Sequence, residues 1–125
     1  MLAAFLLAAT VYTLPSDIHW IRGTSPGDSG SFYYAYLRGK PTDKCDTLQL
    51  IKLSDGYQAH WHVNNVPGIY TILQGTLVIG FDKQHKKSAE RAFPTGSVIQ
   101  GLATEPHYGH ALGEVIFSAY TPCAK

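Results

Sequence analysis

The chain has 125 residues, a formal net charge of +1 and only 15% charged residues. This length predicts one domain that can bury its own core. The sequence carries no basic stripe with interleaved aromatic residues, so nucleic acid is excluded as an expected partner. The cationic run Lys83–Lys87 is predicted to be the solvated tip of a hairpin.

The N-terminus begins with an apolar run, Leu2–Val11. It has the length of the apolar region of a signal peptide and is too short to span a bilayer, so no stable membrane span is expected. Ala8 and Thr10 would suit the positions before a cleavage site, although no Lys or Arg precedes the run. Residues 1–11 are therefore interpreted as a signal remnant or an N-terminal extension, and residues 12–125 as a single domain.

Short runs rich in β-branched and aromatic residues follow, separated by Gly and Pro. Strands at regular short spacing predict an all-β antiparallel sandwich or barrel. The predicted strands, in chain order, are Phe32–Leu37, Thr47–Leu53, Gln58–His62, Gly68–Leu73, Thr76–Phe81, Ala89–Phe93, Ser97–Gln100, His107–Ala111 and Glu114–Thr121.

Three connecting segments follow from turn-forming residues. Gln74-Gly75 is predicted to make a tight turn between two strands, and Gly113 another before the last strand. The segment Gly23–Ser31 is rich in Gly, Ser and Pro and is predicted to be a plain surface loop.

The histidines carry the chemistry of this sequence. His60 and His62 are two residues apart on a predicted strand, so their side chains are expected on the same face. His107, from a neighbouring strand, could complete a three-nitrogen site for a divalent transition metal such as Fe, Zn, Ni, Cu or Mn. The alternative is that these histidines are ordinary surface or hydrogen-bonded residues. His110 has the opposite strand parity from His107 and is left out of the site.

The arrangement of these residues resembles the motifs of the cupin superfamily. His60, His62 and Gly75 match the first cupin motif. Pro94-Thr95-Gly96 and Pro106-His107-Tyr108 resemble parts of the second, including the segment that carries the third histidine in many small cupins. The resemblance implies a small, single-domain, RmlC-like fold: a double-stranded β-helix, or jelly-roll β-barrel.

The resemblance covers roughly Asp17 to Thr121 and has two departures. Only three residues separate Gly56 from His60, where the family has five. Gly68 occupies the position of the family's glutamate ligand. The implied ligand set is therefore three histidines without a carboxylate.

Other polar residues are candidates to support the ligands or to line the pocket, and no catalytic residue is assigned. They are Gln58, Asn65, Tyr70, Gln100, Glu105 and Tyr108. Tyr70, Ile72, Leu77 and Phe117 are expected to line the inside of the barrel, which in small barrels can hold one ligand.

The fold implied by the resemblance also places the two cysteines. In such a jelly roll the strand before the histidine pair is antiparallel to the last strand, so Cys45 and Cys123 are expected within disulfide reach. A disulfide favours an extracytoplasmic or secreted protein. Two unrelated thiols and a cytoplasmic location are the alternative.

The function implied by the resemblance is that of a metal-dependent enzyme, an oxidoreductase similar to dioxygenases, acting on a small organic molecule in the barrel. The alternative is a non-catalytic cupin module that binds a small molecule or has a structural role. Small cupins are commonly homodimers, and a homodimer is expected here. Neither the substrate nor the metal follows from the sequence.

Overall fold

The computed structural model of the protein describes residues 9–64, 67–102 and 105–124. Most of residues 1–11, the predicted signal remnant, lie outside the described residues. The strands are β1 Ile21–Arg22, β2 Phe32–Arg38, β3 Thr47–Leu53, β4 Gln58–His62, β5 Ile69–Gly80, β6 Glu90–Pro94, β7 Val98–Gln100 and β8 His107–Thr121. Two 3-10 turns, Pro15–Asp17 and Lys87–Ala89, are too short to cross a membrane, and the described ranges contain no helix that could.

The eight strands of the described residues form one antiparallel sheet. Its order is β1-β2-β3-β8-β5-β6, with β4 pairing with β8 and β7 with β5. The C-terminal half of β8 lies between β3 and β5, and its N-terminal half lies between β4 and β5. The predicted all-β class is confirmed. Strands β3, β4, β6 and β7 each pair with one of the two long strands, β5 and β8.

Two predicted turns are wrong. Gln74-Gly75 lies inside the continuous strand β5, and Gly113 lies inside β8. Both glycines have positive φ, +74° and +73°, and the β5–β8 register shifts on either side of Gln74. Glycine adopts this left-handed conformation at little cost, which lets a strand bulge and change direction without ending.

We expect Gly75→Ala to destabilise the protein more than Gly113→Ala. Both substitutions put a Cβ on a residue with positive φ, which costs about 1–2 kcal/mol. At Gly75 the Cβ would also overlap the carbonyl oxygen of Glu114, whereas at Gly113 it would meet nothing within 4 Å. Crowding of this kind adds about 1–3 kcal/mol. Urea unfolding of both variants measures the difference, and equal losses would contradict the close approach of β5 to β8.

The core of the described residues consists of two apolar clusters. One contains Leu53, Tyr57, Ala111 and Val115, and the other contains Ile72, Ile79, Ile99 and Leu102. Leu77 and Phe117 pack against both clusters and also line a cavity. The cavity wall is therefore part of the core.

The predicted pairing of β3 with β8 is confirmed. Thr47 is opposite Thr121 and Leu53 is opposite Val115, so the start of β3 meets the end of β8. Cys45 and Cys123 lie just beyond this pairing and form a disulfide, with their Cα atoms 4.8 Å apart. The predicted disulfide is present.

Candidate metal centre

A bulge in β4 determines which of its side chains reach the cavity. Ala59 is opposite Gly109 of β8 and His62 is opposite His107, so β4 advances three residues while β8 advances two. The extra residue breaks the alternation of faces. As a result Ala59, His60 and His62 all line the cavity.

The three predicted ligands all line this cavity. The ring centres of His62 and His107 are 4.4 Å apart, and those of His60 and His62 are 5.5 Å apart. Two imidazoles bound to one ion hold their ring centres roughly 4.5–5.5 Å apart, since each metal–nitrogen bond is about 2.0–2.1 Å. Each of these two ring spacings, taken alone, suits a pair of imidazoles on one ion.

Each of the three rings has its Nδ1 atom in contact with a protein oxygen. The Nδ1 of His62 donates to the carbonyl of His60 at 2.6 Å, and that of His107 donates to the carbonyl of Glu105 at 2.7 Å. The Nδ1 of His60 contacts Oδ1 of Asp28. A carbonyl or carboxylate oxygen accepts, so Nδ1 carries the proton and Nε2 keeps the lone pair that a metal needs.

Asp28 comes from the loop before β2 and is held by β4. Its Oδ1 accepts from the backbone N–H of His60 at 2.9 Å as well as from the ring, and its Oδ2 accepts from the hydroxyl of Tyr57. Ser29 and Gln58 join the loop to β4 by two backbone hydrogen bonds of 2.9 and 3.0 Å. The Asp28 side chain is 9% exposed.

The surroundings set the charge of these groups. His107 is 5% exposed. Burial, together with the nearby His62, lowers the pKa of His107, so its imidazole is neutral at pH 7. Burial raises the pKa of Tyr57, and the Asp28 carboxylate raises it further. Burial would raise the pKa of Asp28 too, but the hydrogen bonds from Tyr57 and His60 outweigh it and the net pKa is lowered. Asp28 is thus an anion.

The three imidazoles are suitable donors for a divalent transition metal, but their side chains are not placed around one ion. Imidazole nitrogen is a good ligand for Fe, Cu, Ni and Zn. Yet within the described ranges no three His, Cys, Asp or Glu side chains are placed so that they already enclose one ion. The His60 side chain is 44% exposed. Three Nε2 donors are present, but they are not yet arranged around a common point.

The cavity next to the histidines has a volume of about 530 Å³ and a mainly apolar wall. This size suits one small organic molecule. Tyr70 supplies a polar group in the wall: its hydroxyl accepts from Nδ2 of Asn64 at 3.1 Å, and its ring packs edge-on against Phe117. Burial raises the pKa of Tyr70, so the hydroxyl keeps its proton.

The remaining predicted site residues lie in different places. Of the predicted cavity residues, Tyr70, Leu77 and Phe117 line the cavity, and Ile72 is in the core. Four of the polar candidates do not line the cavity. Gln58, Gln100 and Glu105 are exposed. Tyr108 is buried, and its hydroxyl donates to Glu90 at 2.8 Å. The position of Asn65 lies outside the described residues.

Sequence reasoning missed Asp28 and Tyr57. The Gly23–Ser31 segment, predicted to be a plain connection, brings a carboxylate against His60. Gly27 and Gly30 have φ of +91° and +95°, and the Cγ and Nδ1 atoms of His60 are 3.4 and 3.5 Å from where a Cβ on Gly27 would lie. The sequence does show an aspartate between two glycines, but nothing near it in sequence indicates that it contacts His60.

Comparison with known proteins identifies the fold. No protein-family model matches the chain, and no curated protein matches it in sequence. Among solved structures, the polyketide cyclase RemF from Streptomyces resistomycificus is similar with a TM-score of 0.72 and 18% identity, over 93% of this chain and 81% of that one.

Two further solved structures extend this likeness. An acetylacetone dioxygenase from Acinetobacter johnsonii has a TM-score of 0.67 and 16% identity, over 91% of this chain and 75% of that one. A cupin-like protein from Thermotoga maritima has a TM-score of 0.60 and 18% identity, over 80% of this chain and 75% of that one. Identities this low establish the fold alone. The protein has the fold of the cupin superfamily.

Proposed function

We propose that the protein is a metal-dependent cupin that binds a divalent transition metal through the Nε2 atoms of His60, His62 and His107. One observation carries this proposal: every Nδ1 in the set is already hydrogen-bonded to a protein oxygen. Histidines that ligate metals almost always have their other ring nitrogen anchored in this way. Three unrelated surface histidines have no reason to share this pattern.

We propose further that the protein is an enzyme that acts on a small organic molecule in the cavity. A divalent ion held by three neutral imidazoles keeps its full 2+ charge and would supply Lewis-acid or redox chemistry. The chain itself would exclude water with the apolar side chains of Leu77, Ile79 and Phe117, all of which line the cavity. The Tyr70 hydroxyl, oriented by Asn64, would hold a polar group of the substrate.

The reaction class that we favour is an oxidation in which both atoms of O₂ enter the organic substrate. The acetylacetone dioxygenase among the similar structures supports this choice. The test is oxygen uptake by the Fe(II)-loaded protein with a panel of diketones, phenols and thiols. We expect substrate-dependent uptake, and none from the protein loaded with Zn²⁺, which has no redox chemistry.

A second candidate is a binding module without turnover. Two observations favour it: Gly68 replaces the glutamate expected from the resemblance, and the His60 side chain is 44% exposed. Ligand binding by the Fe(II)-loaded protein, detected by calorimetry without any oxygen uptake or product, would support this candidate over the enzyme.

The expected homodimer stays a prediction.

A further inference from the structure

His60 differs from the other two histidines in what holds its ring. His62 and His107 donate to backbone carbonyls two residues earlier in the chain, at 2.6 and 2.7 Å, so local backbone geometry fixes them. His60 instead contacts a charged side chain 32 residues away, Asp28. Its orientation therefore depends on a tertiary contact that one substitution can remove.

The Asp28 carboxylate has both oxygens engaged. Oδ1 accepts from the backbone N–H and contacts the Nδ1 of His60, and Oδ2 accepts from the hydroxyl of Tyr57, a residue that is 4% exposed. An aspartate whose oxygens already accept these contacts has little acceptor capacity left for an ion. It is well suited to hold a ring in place.

The loop also determines which edge of the His60 ring faces the cavity. The Cγ and Nδ1 atoms of the ring are 3.4 and 3.5 Å from where a Cβ on Gly27 would lie, so this edge of the ring faces the loop at an ordinary van der Waals distance. His60 nevertheless lines the cavity. Since Nδ1 faces the loop, Nε2, on the opposite edge of the imidazole, is the nitrogen left for the cavity.

We propose that Asp28, held by Tyr57, is a positioning residue that fixes the ring and tautomer of His60 so that its Nε2 can serve as a metal ligand. The metal part of this inference rests on the proposed function. Asp28 would also place a negative charge behind the ligand, which makes the imidazole a stronger donor. The Asp28 carboxylate would thereby supply a negative charge near the ion without binding it. Gly68, at the position of the family's glutamate ligand, supplies none.

The first test uses the full-length protein without metal. Long-range nitrogen–proton NMR spectra of the histidine rings report the tautomer of each ring, with His60→Gln identifying the His60 signals. We expect His60 to carry its proton on Nδ1, and Asp28→Ala to convert it to a mixture of tautomers. An unchanged His60 spectrum in Asp28→Ala would overturn the proposal.

The second test measures cobalt(II) affinity by absorption titration. We expect Asp28→Asn to weaken binding about 10-fold and Asp28→Ala up to about 100-fold, the usual range for loss of a partner that orients a ligand. Tyr57→Phe, which keeps the ring but removes the donor to Asp28, should weaken it less than Asp28→Asn. If Asp28→Ala does not fold, Asp28→Asn alone decides this test.

Asp46→Asn is the matched control. Asp46 also has both carboxylate oxygens hydrogen-bonded, by Arg38 at 2.9 and 2.7 Å, but it does not line the cavity. The cobalt(II) affinity of Asp46→Asn should equal that of the unaltered protein. Equal affinities in all the Asp28 variants would overturn the positioning role and leave the metal centre standing. An unaltered protein that binds no cobalt would overturn the metal centre itself, and the ligand role of His60 with it.

Discussion

Replacing His62 or His107 by alanine is expected to abolish metal binding. The two residues are opposite each other in the β4–β8 pairing, and their ring centres are 4.4 Å apart. Loss of a residue that merely orients a ligand costs 10–100-fold in affinity, so loss of a ligand should cost more than about 100-fold. Cobalt or zinc affinity of the purified variants measures this effect.

His110→Ala is the control for these two variants. It removes an imidazole from β8, the strand that carries His107. His110 is opposite Gln58 and Val78 in the sheet and does not line the cavity. Its metal affinity should match that of the unaltered protein. Since His107 is buried, circular dichroism and urea unfolding must show that His107→Ala is folded before its affinity is interpreted. Folded variants that bind metal as well as His110→Ala does would exclude this ligand set.

The second large effect concerns the disulfide between Cys45 and Cys123. It joins residues 78 apart in sequence. Cross-linking a loop of this length lowers the entropy of the unfolded chain and stabilises the fold by about 4 kcal/mol. Reduction, or the double substitution Cys45→Ala and Cys123→Ala, should lower the free energy of unfolding by about this amount in urea titrations.

The double variant also serves as the control for reduction, because a reductant should not change its stability further. An unaltered protein that is equally stable with and without reductant would contradict the stabilising role of the bond. Two free thiols in protein isolated from an oxidising compartment would contradict the bond itself. The extracytoplasmic location stays a prediction.

Local patterns were enough to predict most of the strands. Short runs rich in β-branched and aromatic residues correctly marked β3 and the last part of β8, and the resemblance correctly paired them. Gly75 and Gly113 were misread because a glycine with positive φ is compatible with both a turn and a bulge. Pairing with a distant strand decides between the two: β5 continues past Gly75 because β8 runs beside it.

The candidate site shows the same limit. Both His60 and His62 line the cavity, as their i, i+2 spacing predicted, but it is the bulge in β4, and not simple alternation, that brings them there. The same spacing also suggested Gln58, which the bulge after Ala59 leaves on the outside. Asp28 lies 32 residues before His60, and no periodicity links a loop aspartate to a strand histidine. Contacts of this kind are set by the tertiary fold and cannot be predicted from spacing.

The most direct test of the metal centre is elemental analysis of the purified, untagged protein by plasma mass spectrometry, with the protein concentration taken from amino-acid analysis. The three-histidine site predicts close to one Fe, Ni, Zn, Cu or Mn ion per chain, and much less in His107→Ala. Protein that holds none of these ions, even after incubation with each ion and desalting, would contradict the account.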